Sequence, residues 1–241
     1  MSDRLQTALF RRNPVGAAAL TMVGLGLGVW AVVNSPVFGI DRIRVEGARQ
    51  LTADEVRELA AVEPGTNLLR LSVDEVAAAV ERSPWVRNAV ADRALPTTLV
   101  LRVEERRGVG WVEDPSGPVV VADDGTVVDR PGSIPSALPG LGTVEEPLAP
   151  GERLGGGATL RVAASMRDGL LATLASVTEI DGELLLGLRE GGEVRYGKAD
   201  HLAEKNRALA EMLTWAAERG VGVEYVDVRI PSAPALRPVA G

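Results

Sequence analysis

The stretch Leu51-Thr52-Ala53-Asp54-Glu55-Val56, and its near copy Leu71-Ser72-Val73-Asp74-Glu75-Val76, decide the fold. In the first, Thr52 stands three residues before Glu55, so the hydroxyl can accept from the Glu55 amide while the carboxylate reaches back to the Thr52 amide. Leu51 facing Val56 adds the apolar contact that fixes the entry of a helix. That helix runs to about Ala61 and stops at Pro64-Gly65; the second places Val73, Val76, Ala77 and Val80 on one face and is ended by Pro84. Upstream, residues 40–46 alternate Ile40, Arg42, Arg44 and Glu46 with Asp41, Ile43 and Val45, a strand ending at Gly47. Downstream, residues 85–91 are extended, Leu95-Pro96 breaks them, and residues 98–106 alternate Leu99, Leu101 and Val103 with Val100, Arg102 and Glu104. Strand, helix, helix, strand, strand, with both helices on one face of a small sheet, is a compact α+β domain.

Before this domain, no charge occurs between Arg12 and Asp41, and Val15 to Val33 is 19 residues of Val, Gly, Ala, Leu, Thr, Met and Trp. As a helix it is about 28 Å long, near the roughly 30 Å hydrocarbon core of a bilayer. A buried core helix would show one polar face, and this run offers only Thr21. It is also longer than a cleaved signal's apolar region and passes into Ala31-Val32-Val33-Asn34 without a small-residue cleavage site, so an uncleaved signal anchor is predicted. Arg4, Arg11 and Arg12 against Asp3 keep residues 1–14 in the cytoplasm, and the exported remainder carries −9. Gly24, Gly26 and Gly28 are not spaced as a strong helix-dimer face.

After Gly108 the composition shifts. Trp111-Val112 and Val119-Val120-Val121 are short strand-like runs, with a hairpin turn at Asp124-Gly125. Residues 131–157 are rich in Pro and Gly and are predicted to be largely loop, tied down by Leu138 and Leu141. Residues 158–174 read as one helix with Leu160, Ala164, Leu171 and Leu174 inward, followed by strands at 183–189 and 193–196. A long helix over 200–219, capped by Gly220, precedes a last strand at 223–230, and residues 231–241 read as a frayed tail. This makes a second mixed domain.

The chain has 241 residues, 26 Lys+Arg against 33 Asp+Glu, no Cys and one His. Thiolate zinc sites and disulfides are excluded, and a net charge of −7 argues against a nucleic-acid partner. No nucleophile elbow, zinc-protease helix or phosphate loop occurs, and His201 beside Asp200 and Glu204 reads as a solvated residue. Asp123-Asp124-Gly125 reads as a turn rather than a cation site, and Gly155-Gly156-Gly157 as a connector. Glu104-Glu105-Arg106-Arg107 reads as a solvated strand end, Trp85 as a core aromatic of the small sheet, Gly65 as a positive-φ turn residue, and Pro96 as a hairpin residue. No enzyme, cofactor or metal is expected.

The order of local words resembles the FtsQ (DivIB) family of bacterial division proteins, whose anchor is followed by a POTRA domain and a β domain. These words are Ile43, Val45 and Gly47, then Gly65-Thr66-Asn67-Leu68, Ser83-Pro84-Trp85-Val86, Arg93-Ala94-Leu95-Pro96-Thr97-Thr98-Leu99 and Val103-Glu104-Glu105-Arg106. Asp123-Asp124-Gly125, Leu138-Pro139-Gly140-Leu141 and Val226-Asp227-Val228-Arg229 continue the series. The resemblance implies a POTRA domain over 38–106, a β domain over 107–230, and a non-catalytic scaffold in the cytoplasmic membrane at the division septum. It implies as partners FtsB and FtsL, and through them the peptidoglycan synthase FtsW–FtsI. It also implies that FtsB adds a strand to the terminal sheet edge, so that Val228, Arg229, Ile230 and Ser232 border the partner. Two rival classes remain: a POTRA-bearing chaperone or secretion component, which calls for tandem repeats, and a membrane-anchored cell-wall enzyme, which calls for a nucleophile with its base.

Overall fold

A computed structural model describes residues 14–239 of the chain. The predicted cytoplasmic tail therefore lies outside the described residues apart from Pro14. The apolar run forms helix α1 (Pro14–Val33). Several of its side chains also lie outside the description, and among the described residues no helix is long and apolar enough to cross a membrane. The chain divides into two compact units: one holds residues up to Ala48 with Thr52–Val80 and Ala89–Val103, the other Arg49–Leu51, Glu81–Asn88 and everything from Glu104 onward.

The first unit follows the predicted order. After a short 3-10 turn at Pro36–Phe38 come β1 (Arg42–Glu46), α2 (Ala53–Ala60), α3 (Val73–Glu81), β2 (Val86–Ala94) and β3 (Thr98–Glu105). Strand β3 is central, parallel to β1 with Arg42 opposite Thr98 and Glu46 opposite Arg102. The helical crossover makes that parallel pairing possible, since parallel neighbours need a long connection. Val56, Ala60, Val76 and Val80 turn inward from the helices, and Leu99 and Leu101 from the sheet. Both halves of the first cap are present: Thr52 Oγ1 accepts from the Glu55 amide at 3.2 Å, and the Glu55 carboxylate accepts from the Thr52 amide at 2.6 Å. At α3, Ser72 Oγ accepts from the Glu75 amide at 3.4 Å. Thr52→Ala is expected to cost about 1 kcal/mol in chemical denaturation and Thr52→Ser little; an unchanged Thr52→Ala midpoint would leave the cap without energetic weight.

The second unit is sheet-rich. Its elements are β4 (Gly108–Asp114), β5 (Gly117–Ala122), β6 (Val127–Asp129), β7 (Gly140–Thr143), α4 (Ala158–Ser165), α5 (Asp168–Leu171), β8 (Leu174–Ile180), β9 (Glu183–Leu188), β10 (Glu193–Gly197), α6 (Leu202–Arg219), β11 (Val223–Asp227) and β12 (Ala235–Pro238). Among the described residues the strands form one nine-stranded sheet, ordered β12-β11-β10-β9-β8-β7-β4-β5-β6. Its core joins Val112, Val121, Leu186, Val194, Tyr196 and Val226 to Leu160, Met166 and Leu209 from the helices. Gly220 closes α6 in the left-handed conformation, φ +63, as predicted from the sequence.

The structure departs from the sequence expectations at several places. Residues 131–157 are not only loop, because β7 runs parallel to β4 and to β8 near the middle of the sheet. Residues 158–174 are not one helix: α4 ends at Ser165, Met166 adopts an extended conformation, and Leu174 begins β8. Leu171 and Leu174 are both buried, but from different elements, so a helical spacing arose by coincidence. The last predicted strand stops at Asp227, and residues 235–238 of the supposed tail return as β12, antiparallel to β11. Ordinary turn chemistry accounts for the return: the Ala233 amide donates to the Ile230 carbonyl at 3.0 Å across Pro231-Ser232, and proline suits the second position of such a turn.

The charge run at 104–107 is not a solvated strand end either. The Glu105 carboxylate accepts from the amides of Arg49, Gln50 and Leu51 at 2.7–3.0 Å. Arg106 donates to the carbonyls of Pro84 and Val86 and to Asp124, and Arg107 to the carbonyls of Ala164 and Met166 and to Asp168. Partial burial pushes the Asp124 carboxyl up, but hydrogen bonds from Arg106 and from Thr126 outweigh it and hold the group at about 2. Trp85 is a packing residue, but the cluster it joins is Val120, Ala122 and Val128 of the second unit.

Candidate partner-binding site

The sequence places the partner on residues 228–232, and the structure gathers these residues at the turn between β11 and β12. Their roles differ. Val228 is fully buried and its amide donates to the Arg195 carbonyl at 3.0 Å, so it belongs to the core and to the β10 pairing rather than to a partner surface. Arg229 folds back on Asp227, with Nε 3.1 Å from both carboxylate oxygens and Nη2 2.6 Å from one. That guanidinium, helped by the Arg229 amide, keeps Asp227 below the usual carboxylate range despite some burial. Ile230 is 65% exposed, high for a large apolar side chain that follows two buried valines in alternation. Ser232 is exposed and lines, with Pro231, Pro234, His201, Glu204 and Arg207, a groove of about 700 Å³ beside α6.

The predicted edge was β11, and it is covered by the chain's own β12. The edge that remains at this end of the sheet is β12, whose pairs are Asp227↔Ala235, Val226↔Leu236 and Tyr225↔Arg237, with an irregularity before Val223↔Pro238. The Val239 amide donates to the Gly222 carbonyl at 2.9 Å, so that amide faces β11. Alternation along a strand then turns the amides of Arg237 and Ala235 inward and the backbone of residues 234, 236 and 238 outward. Two of those three are prolines. Among the described residues Leu236 is therefore the one outward N–H donor of this edge, while the carbonyls of Pro234, Leu236 and Pro238 remain as acceptors. The sequence reading missed Leu236; the signal was the even spacing of Pro234 and Pro238 around a short apolar-containing run.

The motif residues of the resemblance serve the backbone. Gly47 has φ +88, and a Cβ there would run into the Val103 carbonyl oxygen, so neither the angle nor the space admits another residue. Gly65 (φ +81) and Gly125 (φ +83) lie in turns, Pro84 follows the end of α3, and Pro96 lies in the connection between β2 and β3. Asn67 is more than a turn residue: Nδ2 donates to the Val33 carbonyl at 2.7 Å and Oδ1 accepts from the Leu69 amide at 3.0 Å. His201 precedes α6 with φ +46 and lies 3.2 Å from the Glu204 carboxylate, both exposed. Among the described residues no group of acidic or histidine side chains is placed to hold a metal ion.

Comparison with known proteins finds these similarities. A family profile described as POTRA domain, FtsQ-type, matches residues 38–106. The cell division protein FtsQ of Anaeromyxobacter sp. (strain K) is 32% identical over 257 residues, covering 99% of this chain and 84% of its own length. The cell division protein FtsQ of Corynebacterium glutamicum is 26% identical over 213 residues, covering 85% of this chain and 90% of its own. The major extracytoplasmic domain of the cell division protein DivIB from Geobacillus stearothermophilus matches 49% of this chain with a TM-score of 0.35 and 18% identity. The coverage and identity of the Anaeromyxobacter relative, together with the profile match on the first folded domain, decide the family: the chain belongs to the FtsQ family of bacterial cell division proteins.

Proposed function

We propose that the chain is a non-catalytic scaffold of the divisome. In this reading α1 spans the cytoplasmic membrane with its N-terminus inside, and the two units lie outside at the septum. The β12 edge receives a strand from an FtsB-type partner, which arrives with FtsL and links the chain to septal peptidoglycan synthesis by FtsW–FtsI. The observation that carries the partner site is the free edge of β12, with its single outward donor between two prolines. Strand addition on such an edge uses main-chain hydrogen bonds and tolerates side-chain variation. The anchor is supported by α1 itself: Met22, Val23, Leu25, Leu27, Trp30 and Val32 are each more than half exposed and fall all round the helix, so no protein core covers them.

The test of partnership is co-elution of the full chain, in nanodiscs, with the purified FtsB–FtsL pair of the same bacterium; absence of a complex at micromolar concentration would overturn it. For topology, a reporter active only outside the cytoplasm is expected to work when fused after Gly241, and a fragment beginning near Asn34 would instead show cleavage. Because no chemistry is assigned to the single histidine, His201→Ala is expected to support normal division. A well-folded His201→Ala protein whose cells filament would overturn the scaffold reading.

A further inference from the structure

The connection between α1 and the first folded unit is not a free linker. At the end of α1 the Trp30 carbonyl accepts from the Asn34 amide at 3.0 Å and from Asn34 Nδ2 at 2.8 Å, and the Val32 carbonyl accepts from the Ser35 amide. The Val33 carbonyl accepts from Asn67 Nδ2, and Arg70 Nη1 donates to Asn34 Oδ1 at 3.0 Å. Residues 38–40 then pair with the α2–α3 connection: Leu68 N to Phe38 O at 2.8 Å, Ile40 N to Thr66 O at 2.9 Å, and Gly65 N to Ile40 O at 3.0 Å. The Asp41 amide donates to Thr97 in the β2–β3 connection. Arg93 closes the set by donating to the carbonyls of Leu68 and Leu71 at 2.8 and 2.6 Å.

Three connections thus meet at the end of the unit where α1 arrives, and two large apolar side chains stand exposed there, Val37 at 61% and Leu95 at 59%. Arg42, Arg70 and Arg93 are exposed around them, against Asp41 and Glu63. The last carbonyls of a helix have no partners within it, and at the boundary of a bilayer water is scarce. Asn67 supplies one of the missing donors from the folded unit itself, so whatever depth Val33 takes, Asn67 and Arg70 share it.

We propose that this end of the first unit is a membrane-facing surface. It is held on the bilayer by the Asn67–Val33 and Arg70–Asn34 contacts, with Val37 and Leu95 in the interfacial layer and the arginines meeting lipid phosphates. The proposal rests on the reading that α1 spans the membrane. It makes the first unit a mount of fixed orientation rather than a body swinging on a tether.

The chain has no cysteine, so single introduced cysteines report one position each. Leu95→Cys, Ala53→Cys at the far end of α2 and Leu25→Cys in α1 would carry an environment-sensitive fluorophore, in the full chain in phosphatidylcholine–phosphatidylglycerol nanodiscs. Lipids bearing a nitroxide near the headgroup or deep in the acyl chain serve as quenchers. The shallow nitroxide is expected to quench the Leu95 probe roughly twofold or more above the Ala53 probe, and the deep nitroxide to quench the Leu25 probe. A Leu95 probe no more quenched than Ala53, with Leu25 still quenched, overturns the membrane-facing surface while the anchor stands; an unquenched Leu25 overturns both. Asn67→Asp, which keeps the acceptor for the Leu69 amide but loses the donor to Val33, combined with Arg70→Ala, removes both contacts and is expected to bring the Leu95 signal down to the Ala53 level. Undiminished quenching in that well-folded double variant would overturn the role given to the two contacts.

Discussion

Replacing Leu236 with proline is expected to weaken capture of the FtsB-type partner by about tenfold or more while β12 stays paired to β11. The asymmetry follows from the register. The Leu236 amide faces away from β11, so its loss removes no hydrogen bond of the hairpin, and proline's fixed φ suits an extended edge position. What disappears is the one donor that this edge offers between Pro234 and Pro238, and the ring occupies the place where a partner carbonyl would approach. Leu236→Ala is the control, because it trims a half-buried side chain but keeps the donor; it is expected to lower stability modestly and leave capture within a few-fold. Equal binding by the proline and wild-type proteins, with near-equal melting, would show that the partner does not add a strand here. If Ile230→Glu abolished capture where the proline variant did not, the contact would lie in the side chains of the turn. Deletion of residues 230–241 is a poorer probe, since it also strips β12 from β11 and uncovers Val226 and Val228.

The first unit was legible because each element carries its own local signal. Thr52 and Glu55 write the start of α2 and the alternation over 98–106 the central strand; α2 itself stops at Ala61, in the left-handed conformation, a few residues before Pro64-Gly65. The second unit was legible only where strands alternate cleanly. Strand β7 reads Gly-Leu-Gly-Thr, which as a sequence looks like loop, yet Gly140 and Leu141 answer neighbours on β4. Gly140 lies against the Trp111 ring, where a Cβ would come within 3.1 Å of the indole, and the Leu141 side chain fills the space left open at Gly110. No local pattern announces a strand whose residues are chosen by the strand beside it. Strand β8 was hidden differently: an irregularity between Leu174 and Ser176 shifts its alternation, leaving Leu174 and Val177 buried three apart, as in a helix. The candidate site suffered from the same limit. Valines at 226 and 228 correctly marked an inward face, but the strand stops at Asp227, and the edge depends on a pairing across a turn that the prolines at 231 and 234 had made look like a tail.

The second large effect is expected at Asp114, a residue that no motif singled out. Its side chain is fully enclosed at the end of β4, and its carboxylate accepts four hydrogen bonds. These come from the amides of Ser116 and Leu148 at 2.7 and 2.8 Å, and from Arg130 Nη1 and Nη2 at 3.0 and 2.5 Å. Arg130 donates onward to the Leu148 carbonyl at 2.6 Å, so a single ion pair staples the long 131–157 segment to the sheet. The Arg130 hydrogen bonds first, then the Leu148 amide, hold the Asp114 carboxyl far below its ordinary value of 3.8, outweighing the opposing effect of burial. A depressed carboxyl contributes stability above its unfolded value and loses it as the pH falls towards the folded one. Asp114→Asn keeps the shape but presents an amide nitrogen to donors on every side, and is expected to lower the melting temperature at pH 7 by roughly 5 °C or more. The gap between the two proteins should persist down to about pH 4 and narrow at lower pH, because only the wild type takes up a proton there. Asp124 and Asp227 titrate low in both proteins and cancel in the difference. A gap of equal size at pH 3 and pH 7 would mean that the loss comes from packing of the amide rather than from the ionised carboxylate, and that the segment is held by shape instead of charge.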